Sequence, residues 1–214
     1  MDILFEEIDF QVNDQYEQII EDLQKKKYSV VDDFFSAEEI EIIRNGLLTK
    51  YEEDQFKKSA IGNRVNELIE SEIRGDFILW LNEAEAGLPE KTYFNKINQL
   101  VDYLNRTCFM WILHKEFHYA VYPKGTFYKR HLDTFQNDGR RKLSVVCYLN
   151  DESWKKENGG ELTIYTEENG TEKPIDLFPF PGRVVIFESQ ELEHEVQQVK
   201  NDKRLSITGW LKTR

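Results

Sequence analysis

The hydrophobic pattern of the chain changes near residue 115, and this change constrains the fold more than any other feature of the sequence. Before it, apolar residues recur at helical spacing, as in Ile97, Leu100 and Leu104. After it, short apolar runs alternate with turn-forming sequences such as Asn158-Gly-Gly and Pro181-Gly. Many short strands that follow a helical layer predict an α+β fold, a jelly roll (double-stranded β-helix) supported by N-terminal helices.

The same patterns predict where the helices and strands lie. Helices are expected over residues 15–26, from the capping box Ser36-Ala-Glu-Glu39 to about residue 51, and over 93–113. An early strand is expected at Tyr28-Ser-Val-Val-Asp32. Six later strands are predicted over residues 117–122, 142–149, 161–165, 183–187, 194–199 and 205–211.

A length of 214 residues fits a single domain. We expect it to span residues 1–214, with 1–114 as mainly helical support that includes the early strand and residues 74–80, and with 115–214 as the jelly-roll core. The net charge of −12 argues against binding to nucleic acid or to an anionic membrane. The N-terminus lacks the basic and apolar regions of a signal peptide, and no apolar run reaches the ~20 residues of a membrane span. We therefore expect a cytoplasmic location.

The two cysteines, Cys108 and Cys147, match no metal or redox pattern, so a disulfide framework is not expected. Cys147 lies in an apolar run that is typical of a strand. A reduced thiol in the core is the favoured interpretation of that position.

A candidate metal site begins with the motif His131-Leu-Asp133. Alternation along an extended segment places His131 and Asp133 on one face, where both can bind a single ion. His194 begins another predicted strand and supplies a second imidazole. Two histidines and one carboxylate are the ligand set that leaves open positions on non-haem Fe(II). Taken alone, the motif also fits a turn with two unrelated side chains.

Arg204 strengthens the interpretation of that motif. It follows His194 by ten residues, with Lys200-Asn-Asp-Lys203 as a predicted turn, so a hairpin is expected to bring it beside the strand of His194. A guanidinium there can bind a carboxylate through two hydrogen bonds. On the final strand, Arg204, Ser206, Thr208 and Trp210 share one face by period two. We expect this polar face to line a pocket, with an exposed edge strand as the alternative.

Tyrosines and the remaining histidines complete the candidate residues. Tyr122 and Tyr148 lie on predicted strands, and Tyr128 shortly precedes the metal motif. Each phenol can donate to a carboxylate or a substrate, although an ordinary core or rim position is the favoured interpretation of each one taken singly. His114 and His118 have no ligand partner at useful spacing, and both are interpreted as structural.

Residues 119–211 resemble the catalytic domain of the 2-oxoglutarate-dependent prolyl 4-hydroxylases, above all the branch that acts on the hypoxia-inducible transcription factor and its bacterial relatives. An upstream motif, Ile73-Arg-Gly-Asp-Phe-Ile-Leu-Trp80, extends the resemblance to roughly residues 28–211. The other motifs are Tyr122-Pro, Tyr128-Lys-Arg-His-Leu-Asp133, Asn137-Asp-Gly-Arg140, Cys147-Tyr-Leu-Asn150, Gly159-Gly-Glu-Leu162, His194-Glu-Val-Gln197 and Arg204-Leu-Ser-Ile-Thr-Gly-Trp210.

The resemblance implies a role for each matching residue. It implies that iron is bound by His131, Asp133 and His194, and that the C5 carboxylate of 2-oxoglutarate is bound by Arg204 and Tyr148. The implied wall of the co-substrate pocket consists of Tyr122, Leu162 and Thr208. The implied peptide-facing residues are Tyr128, Arg140 and Trp210. The turn before Arg204 is one residue longer than the family pattern, which makes Lys203 a competitor for its role.

The implied activity is a dioxygenase reaction that uses Fe(II), O2 and 2-oxoglutarate, with succinate and CO2 as co-products and ascorbate as a candidate reductant. A protein or peptide hydroxylated at the 4-position of proline is the first hypothesis for the substrate. A related oxygenase acting on another residue, a free amino acid or a small metabolite is the second. The third is a jelly-roll binding or sensing module without turnover, which would be expected to show a broken ligand set.

Overall fold

The computed structural model describes residues 11–59, 73–134 and 139–213. The N-terminal residues, on which the expected absence of a signal peptide rests, lie outside the described part. So do Asn137 and Asp138, the first half of the predicted turn motif Asn137-Asp-Gly-Arg140.

Three α-helices lie before the strand-rich half: α1 (Asp14–Lys26), α2 (Ala37–Glu52) and α3 (Leu88–Cys108). The capping box is confirmed, because Ser36 Oγ accepts from the Glu39 N–H at 3.1 Å and the Glu39 carboxylate accepts from the Ser36 N–H at 2.8 Å. The predicted bounds of the third helix, 93–113, were wrong at both ends. Its first turn contains Pro89, and Phe109 ends it in the left-handed conformation at φ 51°.

Eleven strands lie in the described residues, and two short 3₁₀ turns (Glu83–Glu85 and Lys156–Asn158) accompany them. The strands are β1 (Tyr28–Val31), β2 (Lys57–Lys58), β3 (Phe77–Trp80), β4 (His114–Pro123), β5 (Tyr128–His131), β6 (Arg141–Tyr148), β7 (Leu162–Glu168), β8 (Thr171–Leu177), β9 (Val184–Glu188), β10 (His194–Val196) and β11 (Lys203–Lys212).

The seven predicted strands are all present, with small shifts at their ends. The strands that were not predicted are β2, β3, β5 and β8. Strand β8 is mostly exposed and contains Pro174, so it has no buried face that would produce an alternating pattern.

The strands form two antiparallel sheets. The major sheet has the order β1-β9-β6-β11-β4-β3-β2, and the minor sheet has the order β5-β10-β7-β8. The predicted α+β jelly roll with supporting helices is confirmed, since two sheets pack together and the helices cover the outer face of one of them.

Alternation along the major sheet divides its side chains between two cores. On β4, Phe117, Tyr119 and Val121 pack with residues of the three helices. Ala120 and Tyr122 pack with residues of the minor sheet, such as those of β7. Polar residues on this second face therefore lie between the two sheets, where a site can be enclosed.

The predicted hairpin between His194 and Arg204 was wrong. Strand β10 carries His194 and is paired on both sides, with β5 and with β7, so neither of its edges is free for β11. Strand β11 instead lies in the major sheet between β4 and β6. The chain crosses from one sheet to the other between β10 and β11, and Arg204 approaches His194 across the interior.

Within the described residues, no helix is long and apolar enough to span a bilayer.

Candidate active site

A cavity of about 700 Å³ lies between the two sheets. Its lining includes residues from both sheets, from β3 and from the segment before β3. The three predicted metal ligands and Arg204 all contribute to this one cavity: His131, Asp133, His194 and Arg204. The structure therefore brings together residues that are up to 73 positions apart in the chain.

The three candidate ligands converge at one end of the cavity. Asp133 Oδ1 is 3.6 Å from His131 Nε2, and Asp133 Oδ2 is 3.5 Å from His194 Nε2. One ligand atom of each residue lies within 4.8 Å of the others. The residues come from the end of β5, from the turn after it and from the start of β10. Two imidazole nitrogens and a carboxylate oxygen on one side of an ion fit Fe(II) with open positions.

Both histidines are oriented by backbone carbonyls. The Nδ1 of His131 lies 2.7 Å from the carbonyl oxygen of Lys129, and the Nδ1 of His194 lies 3.1 Å from that of Leu192. A carbonyl can only accept, so each Nδ1 carries the proton and each Nε2 presents its lone pair. Burial lowers the pKa of His194 to about 4, which keeps the ring neutral at neutral pH.

Asp133 is fixed by a chain of hydroxyl groups. Ser144 on β6 donates to Asp133 Oδ2 at 2.7 Å, and the hydroxyls of Ser144 and Ser189 are 2.8 Å apart. Arg141 donates to the backbone carbonyl of Asp133 at 3.0 Å. Burial raises the pKa of Asp133, but His194, His131 and Ser144 outweigh it and the net pKa is far below the ordinary value. The carboxylate is therefore ionised and oriented.

Tyr128 contacts both the candidate metal ligand His131 and Arg74 of the upstream motif. Its ring stacks on His131, with centroids 3.7 Å apart. The guanidinium of Arg74, a residue of the segment that precedes β3, lies 4.3 Å from the Tyr128 ring centroid. Arg74 in turn makes two hydrogen bonds to the buried carboxylate of Asp76, at 2.8 and 2.6 Å.

Arg204 lies between the sheets and is only 1% exposed. Its Nη1 donates to Ser206 Oγ at 3.1 Å, whereas its buried Nε has no hydrogen-bond partner. Within the described residues, no carboxylate forms an ion pair with it. Its Cζ lies 5.0 Å from the ring centroids of both Tyr122 and Tyr148, and the buried hydroxyl of Tyr148 is also unpaired.

Two features hold Arg204 in place. The Asn150 side chain donates to the carbonyl of Lys203 at 2.9 Å and accepts from the N–H of Leu205 at 3.0 Å, and so clamps the backbone on both sides of Arg204. Gly160 has φ +68°, and a Cβ there would lie 3.1 Å from Arg204 Cδ. The motifs Cys147-Tyr-Leu-Asn150 and Gly159-Gly-Glu-Leu162 thus support the arginine although they are distant from it in sequence.

Most of the other predicted site residues line the same cavity. The two-faced pattern of β11 is confirmed, because Thr208 and Trp210 line the cavity while Leu205, Ile207 and Leu211 pack towards the helices. The cavity lining also includes Tyr122, Tyr128 and Leu162. Tyr148 lies behind this lining, against Arg204.

Arg140 is exposed, and its neighbour Arg141 lines the cavity and covers the Trp210 ring at 3.5 Å. The position of Arg140 at a peptide entrance stays a prediction. Ser144 was not among the predicted site residues, and His118 was interpreted as structural, yet His118 is part of the cavity wall. Alternation on β4 places His118 on the same face as Tyr122, and this was the signal that could have identified it.

Comparisons with known proteins agree with this geometry. The family model described as the 2OG-Fe(II) oxygenase superfamily matches residues 117–212. The chain is 32% identical to a prolyl-4-hydroxylase of Pseudomonas putida of known crystal structure, with a TM-score of 0.81, covering 94% of this chain and 100% of that one. A prolyl hydroxylase from Trichoplax adhaerens, solved with a peptide fragment of the hypoxia-inducible factor oxygen degradation domain, is 25% identical with a TM-score of 0.82, covering 92% and 89% of the two chains.

Among curated proteins, a PKHD-type hydroxylase of Prochlorococcus marinus strain MIT 9312 is 38% identical over 87 residues, which is 40% of this chain and 36% of the relative. A second, from Synechococcus strain CC9605, is 37% identical over 90 residues, or 42% and 38% of the two chains. The matched region spans less than half the length of these curated relatives.

Proposed function

The chain belongs to the 2OG-Fe(II) oxygenase superfamily, and from this premise we propose that it is a 2-oxoglutarate-dependent dioxygenase that hydroxylates a prolyl residue of a protein at the 4-position. Its co-substrates are O2 and 2-oxoglutarate, and its co-products are succinate and CO2. Ascorbate as reductant, a single catalytic domain over residues 1–214 and a cytoplasmic location are parts of the same proposal.

The observation that carries the oxygenase assignment is the unpaired charge of Arg204. A guanidinium buried between two sheets is costly unless an anion compensates it. The described residues supply no such anion, but Arg204 borders the same cavity as the metal-ligand set. A dicarboxylate that spans the cavity satisfies both ends, because one carboxylate pairs with Arg204 while the 2-oxo acid end reaches the metal.

We assign His131, Asp133 and His194 as the Fe(II) ligands. Bound iron supplies the redox chemistry that couples decarboxylation of 2-oxoglutarate to oxygenation of a C–H bond. The Nδ1 hydrogen bonds aim both imidazoles at the proposed ion, burial keeps His194 neutral, and Ser144 helps to keep Asp133 ionised. These fixed orientations spare the site any reorganisation during the reaction.

We assign Arg204 and Tyr148 to the distal carboxylate of 2-oxoglutarate, because both present unpaired polar atoms at the buried end of the cavity. Tyr122, Leu162 and Thr208 are the proposed walls of that co-substrate pocket. This buried pair consists of one cation and one neutral phenol, which suits a single carboxylate.

The prolyl substrate is supported by two kinds of observation. The Pseudomonas putida and Trichoplax adhaerens proteins are named as prolyl hydroxylases and align over most of this chain. In addition, the outer cavity wall is aromatic, with Tyr128, Trp80 and Trp210, and flat rings pack well against a pyrrolidine ring. Tyr128, Arg140 and Trp210 are the proposed peptide-facing residues, and we add Arg141 to them because it lines the same cavity.

The test is incubation of the purified protein with Fe(II), 2-oxoglutarate, O2 and an array of proline-centred peptides, read by mass spectrometry and by succinate release. We expect a gain of one oxygen atom on proline with wild-type protein and none with His131→Ala. Succinate release that a metabolite library stimulates, with no peptide hydroxylated, would replace the prolyl substrate by a small molecule. No succinate from the iron-loaded protein under any condition would refute the oxygenase assignment.

A further inference from the structure

His118 is a buried polar residue of the cavity wall that the proposed iron and co-substrate sites leave unused. It lies on β4 with Trp80 of β3 on one side and Thr208 of β11 on the other. It is 4% exposed, and its ring centroid is 4.9 Å from that of Trp80 and 5.7 Å from that of Trp210. The imidazole is thus held in an aromatic frame on one wall of the cavity.

Two nitrogen atoms of this aromatic frame have no hydrogen-bond partner in the described part of the chain. His118 Nδ1 and Trp210 Nε1 are both buried and have no partner among the described residues. Leaving such groups unpaired costs about 1–3 kcal/mol each, so a protein seldom keeps two together without use. Burial lowers the pKa of His118 to about 4, so at neutral pH the ring offers one N–H donor and one acceptor nitrogen.

The buried polar atoms that lie in the cavity wall or directly behind it, and that have no hydrogen-bond partner within the described residues, fall into two groups. Arg204 Nε and Tyr148 Oη lie at the end that suits a carboxylate. His118 and Trp210 form the second group, and neither carries a charge at neutral pH. A neutral ligand group that offers both an acceptor and a donor and lies flat against aromatic rings matches this second group. The peptide bond has these properties, whereas the ammonium and carboxylate of a free amino acid do not.

We propose that His118 and Trp210 form a subsite that binds a backbone amide of the substrate, next to the residue that is hydroxylated. The Trp210 N–H donates to the peptide carbonyl, and the unprotonated nitrogen of His118 accepts from a peptide N–H. This subsite rests on the proposed function and deepens it, since it selects a residue within a peptide over the free amino acid.

The test uses one peptide that wild-type protein hydroxylates in the array above, and compares kinetics across matched variants. His118→Leu removes both polar atoms, His118→Gln keeps a donor and an acceptor, and Trp210→Phe removes only the N–H of an aromatic ring. His114→Gln is the control, because His114 is an exposed histidine at the other end of the same strand.

We expect His118→Leu and Trp210→Phe each to raise the KM for the peptide by about tenfold, the worth of one buried hydrogen bond, with smaller changes in kcat. His118→Gln should recover most of the loss. The KM for 2-oxoglutarate and the affinity for Fe(II), measured by calorimetry, should stay unchanged in all four variants.

Three outcomes would overturn the subsite. A peptide KM within twofold of wild type in His118→Leu refutes it while leaving the hydroxylase assignment intact. A parallel loss of Fe(II) or 2-oxoglutarate affinity in His118→Leu refutes it too, by showing that the residue supports the fold of the site. If wild-type protein hydroxylates no peptide but hydroxylates free proline, both the protein substrate and the amide subsite are refuted.

Discussion

Arg74 and Arg204 border the same cavity, but only Arg74 has a carboxylate counter-ion among the described residues. Arg74 makes two hydrogen bonds to Asp76, whose side chain is fully buried and also accepts from Ser59 at 2.6 Å. Arg204 is buried at least as deeply and has no carboxylate partner among the described residues. Each guanidinium lies against tyrosine rings, Arg74 on Tyr128 and Arg204 between Tyr122 and Tyr148.

The presence or absence of an internal counter-ion distinguishes an arginine that stabilises the fold from one that is suited to bind an anion. A cation with an internal counter-ion is complete in the folded protein, so Arg74 contributes by holding the upstream segment against Tyr128. A buried cation without one lowers the stability of the free protein and raises its affinity for an anion. The same residue type therefore has a structural function at Arg74 and, in the proposed function, a binding function at Arg204.

The largest expected effect comes from removing the counter-ion of Arg74. Asp76→Asn leaves a buried guanidinium unpaired, and we expect it to lower the free energy of unfolding by about 3–5 kcal/mol. Asp32→Asn is the matched control, since Asp32 makes a similar two-bond pair with Arg183 but is 61% exposed, and it should cost less than about 1 kcal/mol. Urea denaturation of both variants provides the measurement, and equal losses would contradict the argument.

This loss should depend on pH in a defined direction. Burial raises the pKa of Asp76, but Arg74 and Ser59 outweigh it, so the net pKa is lowered in the folded protein. A lowered pKa means that the carboxylate stabilises the fold fully above its unfolded pKa of about 4, and that this stability is lost as the pH falls through the folded value. The difference between wild type and Asp76→Asn should therefore be constant from pH 7 to about pH 5 and shrink in stronger acid.

Arg204→Met should have the opposite effect on the free protein. Removing an unpaired buried charge should leave its melting temperature equal or higher, whereas the affinity for 2-oxoglutarate should fall by about a hundredfold or more, because charge-assisted hydrogen bonds are lost. Lys203→Met is the control, since Lys203 is exposed beside it. Calorimetric titration and thermal melts with and without 2-oxoglutarate measure both quantities. If Lys203→Met rather than Arg204→Met loses affinity, the two residues have been assigned in the wrong order.

The smallest effect is expected at Ser144, which donates a hydrogen bond to the buried carboxylate of Asp133. Ser144→Ala removes the hydrogen bond of 2.7 Å to the carboxylate and should weaken Fe(II) binding by about 10- to 100-fold. Ser144→Thr keeps the hydroxyl and should recover affinity. Anaerobic Fe(II) titration measures the change, and an unaltered affinity in Ser144→Ala would show that the two histidines alone fix the position of Asp133.

Sequence patterns predicted which side chains share a strand face, because such patterns reflect local geometry. Alternation put Arg204, Thr208 and Trp210 on one face of a strand, and that face lines the cavity. The spacing of His131 and Asp133 placed both on one side of an extended segment. The boundaries of α3 were wrong because Pro89 at its start and the left-handed Phe109 at its end are decided by capping, which an apolar period does not record.

What the sequence determined by itself is a set of candidate site residues and the strand face on which each lies, since the period of a strand is a property of the backbone. What only the tertiary structure decided is which strands are neighbours. Because β10 is paired on both edges, β11 joined the other sheet, and Arg204 faces the metal ligands across the interior. The burial of Asp76, the isolation of Arg204 and the aromatic frame around His118 all depend on that arrangement of strands, because burial is set by residues distant in the chain.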